Sequence, residues 1–134
     1  MLYPMAAMVL LVVLVGLVAV KARFGSIKRG EVSPKYFRLM EGENIPDAMT
    51  KSTRNFNNQF ELPILFYVVC TLYISLGLES SVGVVSAWAF VFFRYLHAYI
   101  HLSYNYTIHR MLAFWAGFIC VIVLWVNLLI QQAS

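Results

Sequence analysis

Four long apolar blocks without a single charged side chain constrain what this chain can fold into. They cover residues 2–20, 62–78, 80–93 and 111–130. A membrane-spanning helix needs roughly 17–25 mostly apolar residues. The outer two blocks reach that length directly, and the middle two reach it when neighbouring polar residues are included. Only 12% of the chain is charged, against about 25% in soluble domains. We therefore predict an all-α integral membrane protein, built as a four-helix bundle.

The predicted bundle is a single domain of residues 1–134 with spans at about 2–22, 54–78, 82–106 and 110–130. A basic connection fills about 23–53, and a short turn near Glu79 joins the middle spans. Lys21 and Arg23 follow the first block rather than precede it, which favours a retained span over a cleaved signal peptide. The run from Asn44 to Asp47 indicates a helix start with Asn44 as the capping residue.

The basic residues set the orientation. All ten Lys and Arg fall on one side of the predicted topology, mostly in the connection after the first span. The positive-inside rule places that side in the cytoplasm and both termini outside, as in the bacterial inner membrane or an equivalent one. Topology and anionic lipid headgroups explain the net charge of +4, so we predict contact with membrane lipids and no nucleic-acid partner.

The two cysteines predict no metal or redox site. Cys70 and Cys120 lie inside the second and fourth predicted spans, without a CxxC pair or metal-ligand spacing. A lone cysteine in an apolar span is ordinarily a small packing residue. We therefore expect no metal centre.

The second span carries a polar stripe. Arg54, Asn58 and Glu61 follow i, i+4, i+7 spacing and share one helix face. A carboxylate inside a membrane is costly, so Glu61 should face protein and have a partner. Pro63 cannot donate a hydrogen bond to the carbonyl of Gln59, which predicts a bend just after Glu61.

The third span carries a matching stripe. Arg94, His97, His101 and Asn105 follow i, i+3, i+7, i+11 spacing on one face. The two spans run antiparallel through a short turn, so we expect Glu61 and Arg94 to meet at similar depth as a buried ion pair.

Two interpretations of these stripes remain. An ion pair with polar neighbours can simply tie two helices together. However, seven polar side chains exceed what one tie requires. The set is typical of a cytoplasm-facing site for a polar anionic ligand, in which arginines bind the anion, amides orient it and Glu61 binds an ammonium group. The arginines are Arg54, Arg94 and Arg110.

The stretch from Arg54 through Asn58 and Glu61 to Pro63 resembles the signature of the MAPEG proteins, the membrane-associated proteins of eicosanoid and glutathione metabolism. The spacing of Arg94, His97 and Arg110 is similar to the third-span pattern of that family's microsomal prostaglandin E synthase branch. The resemblance extends over nearly the whole chain, with four spans, a basic first connection and a short outer turn.

The resemblance implies a homotrimer that binds glutathione in a cytoplasm-facing cleft between subunits. It implies that glutathione is held by Arg54, Asn58, Glu61, Arg94, His97 and a basic residue at the end of the first span, Arg23 or Lys21. It implies a catalytic set of Arg94, His101 and Arg110. An arginine near the sulfur favours the reactive thiolate, which would attack a lipophilic substrate arriving from the bilayer.

Two features depart from the family pattern. His101 stands where the catalytic branches have tyrosine, with Tyr104 as a stand-in off the stripe, and the pair Asn57 and Asn58 leaves the register of the amide open by one residue. Two functions follow. One is a glutathione-dependent transferase or peroxidase acting on lipophilic substrates, and the other is a non-catalytic membrane protein that binds a lipid or a partner protein. A third hypothesis, a proton-coupled carrier, has less support, because four spans without an internal repeat suit alternating access poorly.

Overall fold

The computed structural model describes residues 1–39, 44–78 and 80–133, and in these ranges all regular structure is helical. Residues 40–43 of the basic connection and Glu79 of the predicted outer turn lie outside the described residues. The elements in chain order are α1 (Leu2–Lys28), α2 (Tyr36–Leu39), α3 (Asp47–Asn57), a 3₁₀ turn (Asn58–Phe60), α4 (Leu62–Ser75), α5 (Ser81–Leu102) and α6 (Thr107–Ala133).

Three of these helices, α1, α5 and α6, are long and apolar enough to cross a membrane. Helix α4 has 14 residues, which extend about 21 Å at 1.5 Å per residue. A bilayer's hydrocarbon core is about 30 Å thick, so α4 alone is too short to cross it. The predicted second span at 54–78 is therefore divided between α3, the 3₁₀ turn and α4 rather than formed by one helix.

The division falls at Glu61, next to the predicted bend. Glu61 has φ −100° and ψ −102°, which is not helical. Pro63 is the second residue of α4, where its missing N–H interrupts no hydrogen bond of that helix. The N–H of Ile64 donates to the carbonyl of Glu61 at 3.1 Å and starts the new helix. The chain therefore turns at the one carboxylate of the predicted site.

Several helix ends differ from the sequence prediction. The cap predicted at Asn44 is wrong, because Pro46 occupies the cap position of α3 and no side chain bonds there. Asn44 instead turns the chain with φ 62°. Helix α5 ends at Leu102 rather than near 106, because Ser103 has a ψ of −108°, which is not helical, and Asn105 follows with a left-handed φ of 50°.

The core lies where α1, α4, α5 and α6 meet. One stripe of α1 is buried, with members Met8, Leu11, Val15 and Ala19. The rings of Phe66 in α4 and Phe90 in α5 stack with centroids 4.4 Å apart. Helix α3 packs against α1 at Gly16, where a Cβ atom would lie 3.2 Å from the ring of Phe56. This close approach positions α3, and with it the polar residues of the predicted second span.

An exposed ion pair follows the end of α1. The Nε of Arg29 donates to the carboxylate of Glu31 at 2.7 Å. This hydrogen bond lowers the pKa of Glu31 below its usual value. The stabilisation from this pair is therefore complete above the ordinary pKa of a glutamate and is lost as the pH falls through the lowered pKa.

Candidate functional site

A cleft of about 580 Å³ opens between α3, the 3₁₀ turn, α5 and α6. That volume lies within the range of about 300–1,000 Å³ typical of small-molecule sites. Its lining combines two arginines, one carboxylate, two amides and two imidazoles with an apolar wall from α6. The lining residues are Arg54, Asn57, Asn58, Glu61, His97, His101, Thr107, Arg110, Met111 and Phe114.

The cleft brings together most of the predicted site from both polar stripes. The predicted residues that line it are Arg54, Asn58, Glu61, His97, His101 and Arg110. Helix α3 carries the first of these, the chain turn carries the amide and carboxylate, and α5 and α6 carry the rest. The predicted residues Arg94 and Arg23 do not line it. Sequence reasoning missed the α6 wall, since Thr107, Met111 and Phe114 carry no polar motif.

The sequence left open whether Asn57 or Asn58 supplies the amide of the site. Both residues line the cleft. The side chain of Asn58 donates to the carbonyl of Arg54 at 3.0 Å. Asn57 is exposed and lines the cleft with it. The backbone N–H of Asn58 donates to the same carbonyl of Arg54, so that oxygen accepts two hydrogen bonds from one residue at the end of α3.

The predicted ion pair between Glu61 and Arg94 is wrong. Among the described residues no cation lies within 4.0 Å of Glu61, whose side chain is exposed at the surface of the subunit. Arg94 is fully buried, and its Nη2 donates to the carbonyl of Asn58 at 2.8 Å and to Oε1 of Gln59 at 3.4 Å. The interruption of the helix frees carbonyls in the turn, and the guanidinium binds there rather than to the carboxylate.

Arg94 ends a buried hydrogen-bond network that the sequence analysis missed. The amide of Asn55 donates to the carbonyl of Ala98 at 3.1 Å. The amide of Gln59 donates to Oδ1 of Asn55 at 3.0 Å. Asn55 and Gln59 are buried and stand four residues apart on the face beside the predicted stripe. The i, i+4 spacing of these two amides is the sequence signal from which the network could have been predicted.

The two histidines form one wall of the cleft. His97 and His101 are only 4% and 3% exposed, and their ring centroids lie 5.7 Å apart in an edge-to-face arrangement. The ring of Phe114 packs against His97 with centroids 6.2 Å apart. The Nδ1 atoms of both histidines are buried and have no hydrogen-bond partner in the described part of the chain. Both residues of the wall therefore keep one buried imidazole nitrogen without a partner.

Arg110 of α6 also lines the cleft and is held there by a hydrogen bond. Its Nη1 donates to Oδ1 of Asn105 at 2.8 Å. Asn105, predicted as part of the α5 stripe, lies instead in the connection between α5 and α6. There it orients the arginine.

Arg23 and Tyr104 lie apart from the cleft within one subunit. Arg23 lines a separate hollow at the end of α1 with Phe24 and Phe37. Tyr104 lines a groove elsewhere between α5 and α6 and bonds His109 at 3.1 Å. The expected stand-in for the family tyrosine is therefore not in the cleft.

Comparison with known proteins gives one match. The model of the MAPEG family matches residues 1–130 of the 134-residue chain. No individual curated protein and no solved structure matches the chain significantly. The match includes all of α1 and α5 and residues 107–130 of α6, the three helices long enough to cross a membrane, together with every residue of the cleft. The chain is therefore an integral membrane protein that belongs to the MAPEG family.

Proposed function

We propose that the cleft binds glutathione and that the protein is a glutathione-dependent transferase or peroxidase acting on lipophilic substrates. The observation that carries the proposal is the charge pattern of the cleft. Arg54 and Arg110 have no carboxylate within 4.0 Å in the described ranges, and Glu61 has no cation there. Separate unpaired charges of both signs suit a ligand that itself carries both.

Glutathione has that composition. At neutral pH it carries two carboxylates, one ammonium group and a thiol. The two arginines suit the carboxylates, because a guanidinium binds a carboxylate through two parallel hydrogen bonds. Glu61 suits the ammonium group. Asn57 and Asn58 supply amides that donate and accept along the peptide backbone.

Two residues support the chemistry. A cation near the sulfur, here Arg110, favours the thiolate over the thiol. His101 lines the same cleft, and its imidazole can accept the thiol proton. In transfer, the thiolate sulfur bonds an electrophilic carbon and the leaving group departs with the electron pair. In peroxide reduction the sulfur takes one oxygen, the O–O bond breaks to leave an alcohol, and a second glutathione forms the disulfide and water.

The surface of the subunit supports assembly into a homotrimer of four-span subunits. Glu61 is exposed beside Phe60, whose side chain is 52% exposed. A carboxylate beside apolar side chains in a membrane is costly unless protein covers it. We propose that a second subunit covers this face and that Arg23, which is remote from the cleft of its own subunit, serves the cleft of a neighbour.

The non-catalytic alternative has one observation in its favour. The cleft contains His101 where the catalytic branches that the chain resembles have tyrosine, and Tyr104 lies elsewhere. A cleft that binds a lipid or a partner protein needs no hydroxyl beside a thiol. This alternative predicts no turnover of any thiol.

Turnover by the purified protein separates the two functions. We expect conjugation of glutathione to 1-chloro-2,4-dinitrobenzene or reduction of a fatty-acid hydroperoxide. Arg110→Gln should lower the rate at least about tenfold, because it removes one charge-assisted hydrogen bond. Arg38→Gln, a matched change in the basic connection, should leave the rate unchanged. Glutathione binding without turnover of either substrate would favour the non-catalytic alternative and contradict the enzymatic proposal.

A further inference from the structure

A second, smaller cavity of about 190 Å³ adjoins the cleft toward the start of α3. The two cavities share Arg54, His101 and Arg110. The smaller cavity, here called the basic chamber, adds Lys51 and Asn105, which the cleft lacks, together with Asp47 and Thr50. It extends from the cleft on the side of Arg54 and Arg110 that faces the start of α3.

The charges of the basic chamber are unbalanced. Lys51, Arg54 and Arg110 face a space lined by one acidic residue, Asp47. Among the described residues no carboxylate lies within 4.0 Å of any of the three cations. Cations gathered around a small cavity repel one another, and the repulsion is stronger where the surroundings are less polar than water. An anion in the chamber would relieve it.

The chamber is held in place by the end of α5. Asn105 adopts a left-handed φ of 50°, a conformation that asparagine tolerates better than most residues. Its N–H donates to the carbonyl of Ile100 at 2.8 Å, and its Oδ1 accepts from Arg110 at 2.8 Å. The loop thereby fixes the guanidinium between the two cavities.

A buried donor or acceptor without a partner gives an independent indication of a ligand. His101 is 3% exposed and lines the chamber, and its Nδ1 is buried without a hydrogen bond. Buried polar atoms are nearly always satisfied, so an unpaired one on a residue that lines the chamber indicates a missing partner. An anion with several oxygens can accept from the imidazole, the ammonium and the guanidinium groups at once.

We propose that the basic chamber is a second anion site that holds a phosphate group, free or esterified, beside the ligand of the main cleft. A phosphate is compact and offers several acceptor oxygens to the donors that converge there. Each shared arginine has five N–H donors and can bind one anion on either side. The site does not require that the main cleft bind glutathione.

Calorimetry with inorganic phosphate tests the chamber at constant ionic strength and in neutral detergent. Lys51→Gln should weaken phosphate binding about tenfold, the loss of one charge-assisted hydrogen bond, and leave glutathione binding unchanged. Glu61→Gln should do the reverse. Lys28→Gln, at the exposed end of α1, is the matched control and should change neither. Glycerol phosphate and a short-chain phosphatidic acid identify the source, because Lys51-dependent binding of the lipid alone supports the site as a headgroup site.

Two results would overturn the proposal. One is binding that is absent for inorganic phosphate and for both esters, or that is the same in Lys51→Gln and the wild type. The other is equal weakening of phosphate and glutathione by Lys51→Gln, which would make the chamber part of one continuous ligand site. If phosphate binds through Lys51 while glutathione does not bind at all, the anion site stands and the proposed function fails.

Discussion

At the scale of single residues, Arg94 is the largest side chain that the described fold buries completely. A charged group removed from solvent is stabilised only by the groups it contacts. Its Nη2 donates to the carbonyl of Asn58 in the 3₁₀ turn and to the amide oxygen of Gln59, while its Nε and Nη1 are buried without a partner in the described ranges. Arg94 therefore acts on the cleft through the chain turn, as a positioning residue, rather than by touching a ligand.

Asn55→Leu should destabilise the protein by about 1–3 kcal/mol, the cost of leaving buried polar groups unsatisfied. Asn55 has no exposed surface, and its side chain bonds both Ala98 and Gln59. The measurement is the free energy of unfolding in mixed micelles with increasing dodecyl sulfate. Asn57→Leu, a change of the same size at an exposed position, should cost far less, and equal losses in the two variants would contradict the network.

Sequence periodicity predicted which residues line the cleft better than it predicted which groups those residues bond. The helical spacing of Arg54, Asn58 and Glu61 correctly predicted that they reach one cavity. The same reasoning assigned Arg94 to Glu61, because it assumed a continuous helix in which only side chains seek partners. Once the helix is interrupted, backbone carbonyls compete for the guanidinium, and spacing alone carries no information about that competition.

At the scale of elements, the interruption between α3 and α4 determines how the cleft is built. A continuous helix would pair the carbonyls of the 3₁₀ turn internally and would rotate Glu61 relative to α5. The interruption leaves Glu61 as the residue that ends one helix and precedes the next. Pro63 was a sequence signal for this interruption, whereas the end of α5 before the left-handed Asn105 was not recognisable, because Asn105 continued the i, i+4 spacing of the polar stripe.

Pro63→Ala should reduce glutathione affinity about tenfold while the protein still folds. Alanine restores an N–H that can bond the carbonyl of Gln59, so α3 and α4 can join into one helix and Glu61 can move. A displacement of about 1 Å in a site can cost a hundredfold in rate, so a tenfold loss of affinity is a modest expectation. Calorimetry with glutathione is the measurement. Pro4→Ala, at the buried start of α1, is the control, and unchanged affinity in Pro63→Ala would contradict this role of the interruption.

At the scale of the whole molecule, the number of crossings depends on α4. Helices α1, α5 and α6 meet the length and hydropathy expected of spans. Helix α4 is apolar but short, so it crosses the bilayer only if the 3₁₀ turn and the end of α3 enter the membrane with it. Four crossings place both termini on one side, and three place them on opposite sides.

Reporter fusions decide between these arrangements. We expect alkaline phosphatase fused after the last residue to be active outside the cytoplasm, and the same enzyme fused after Lys35 to be inactive. Fluorescent protein fusions at the two positions should give the opposite pattern. An inactive phosphatase at the carboxyl terminus, with the amino terminus outside, would show three crossings and contradict the four-span topology.

Calorimetric titration of the purified protein with glutathione tests the central proposal most directly. We predict saturable binding by the wild type and at least about tenfold weaker binding by Glu61→Gln, which loses the charge opposite the ammonium group. Glu31→Gln, which removes an exposed carboxylate paired with Arg29, should bind as the wild type does. Absence of binding by the wild type, or equal affinity in Glu61→Gln, would contradict a glutathione site in this cleft.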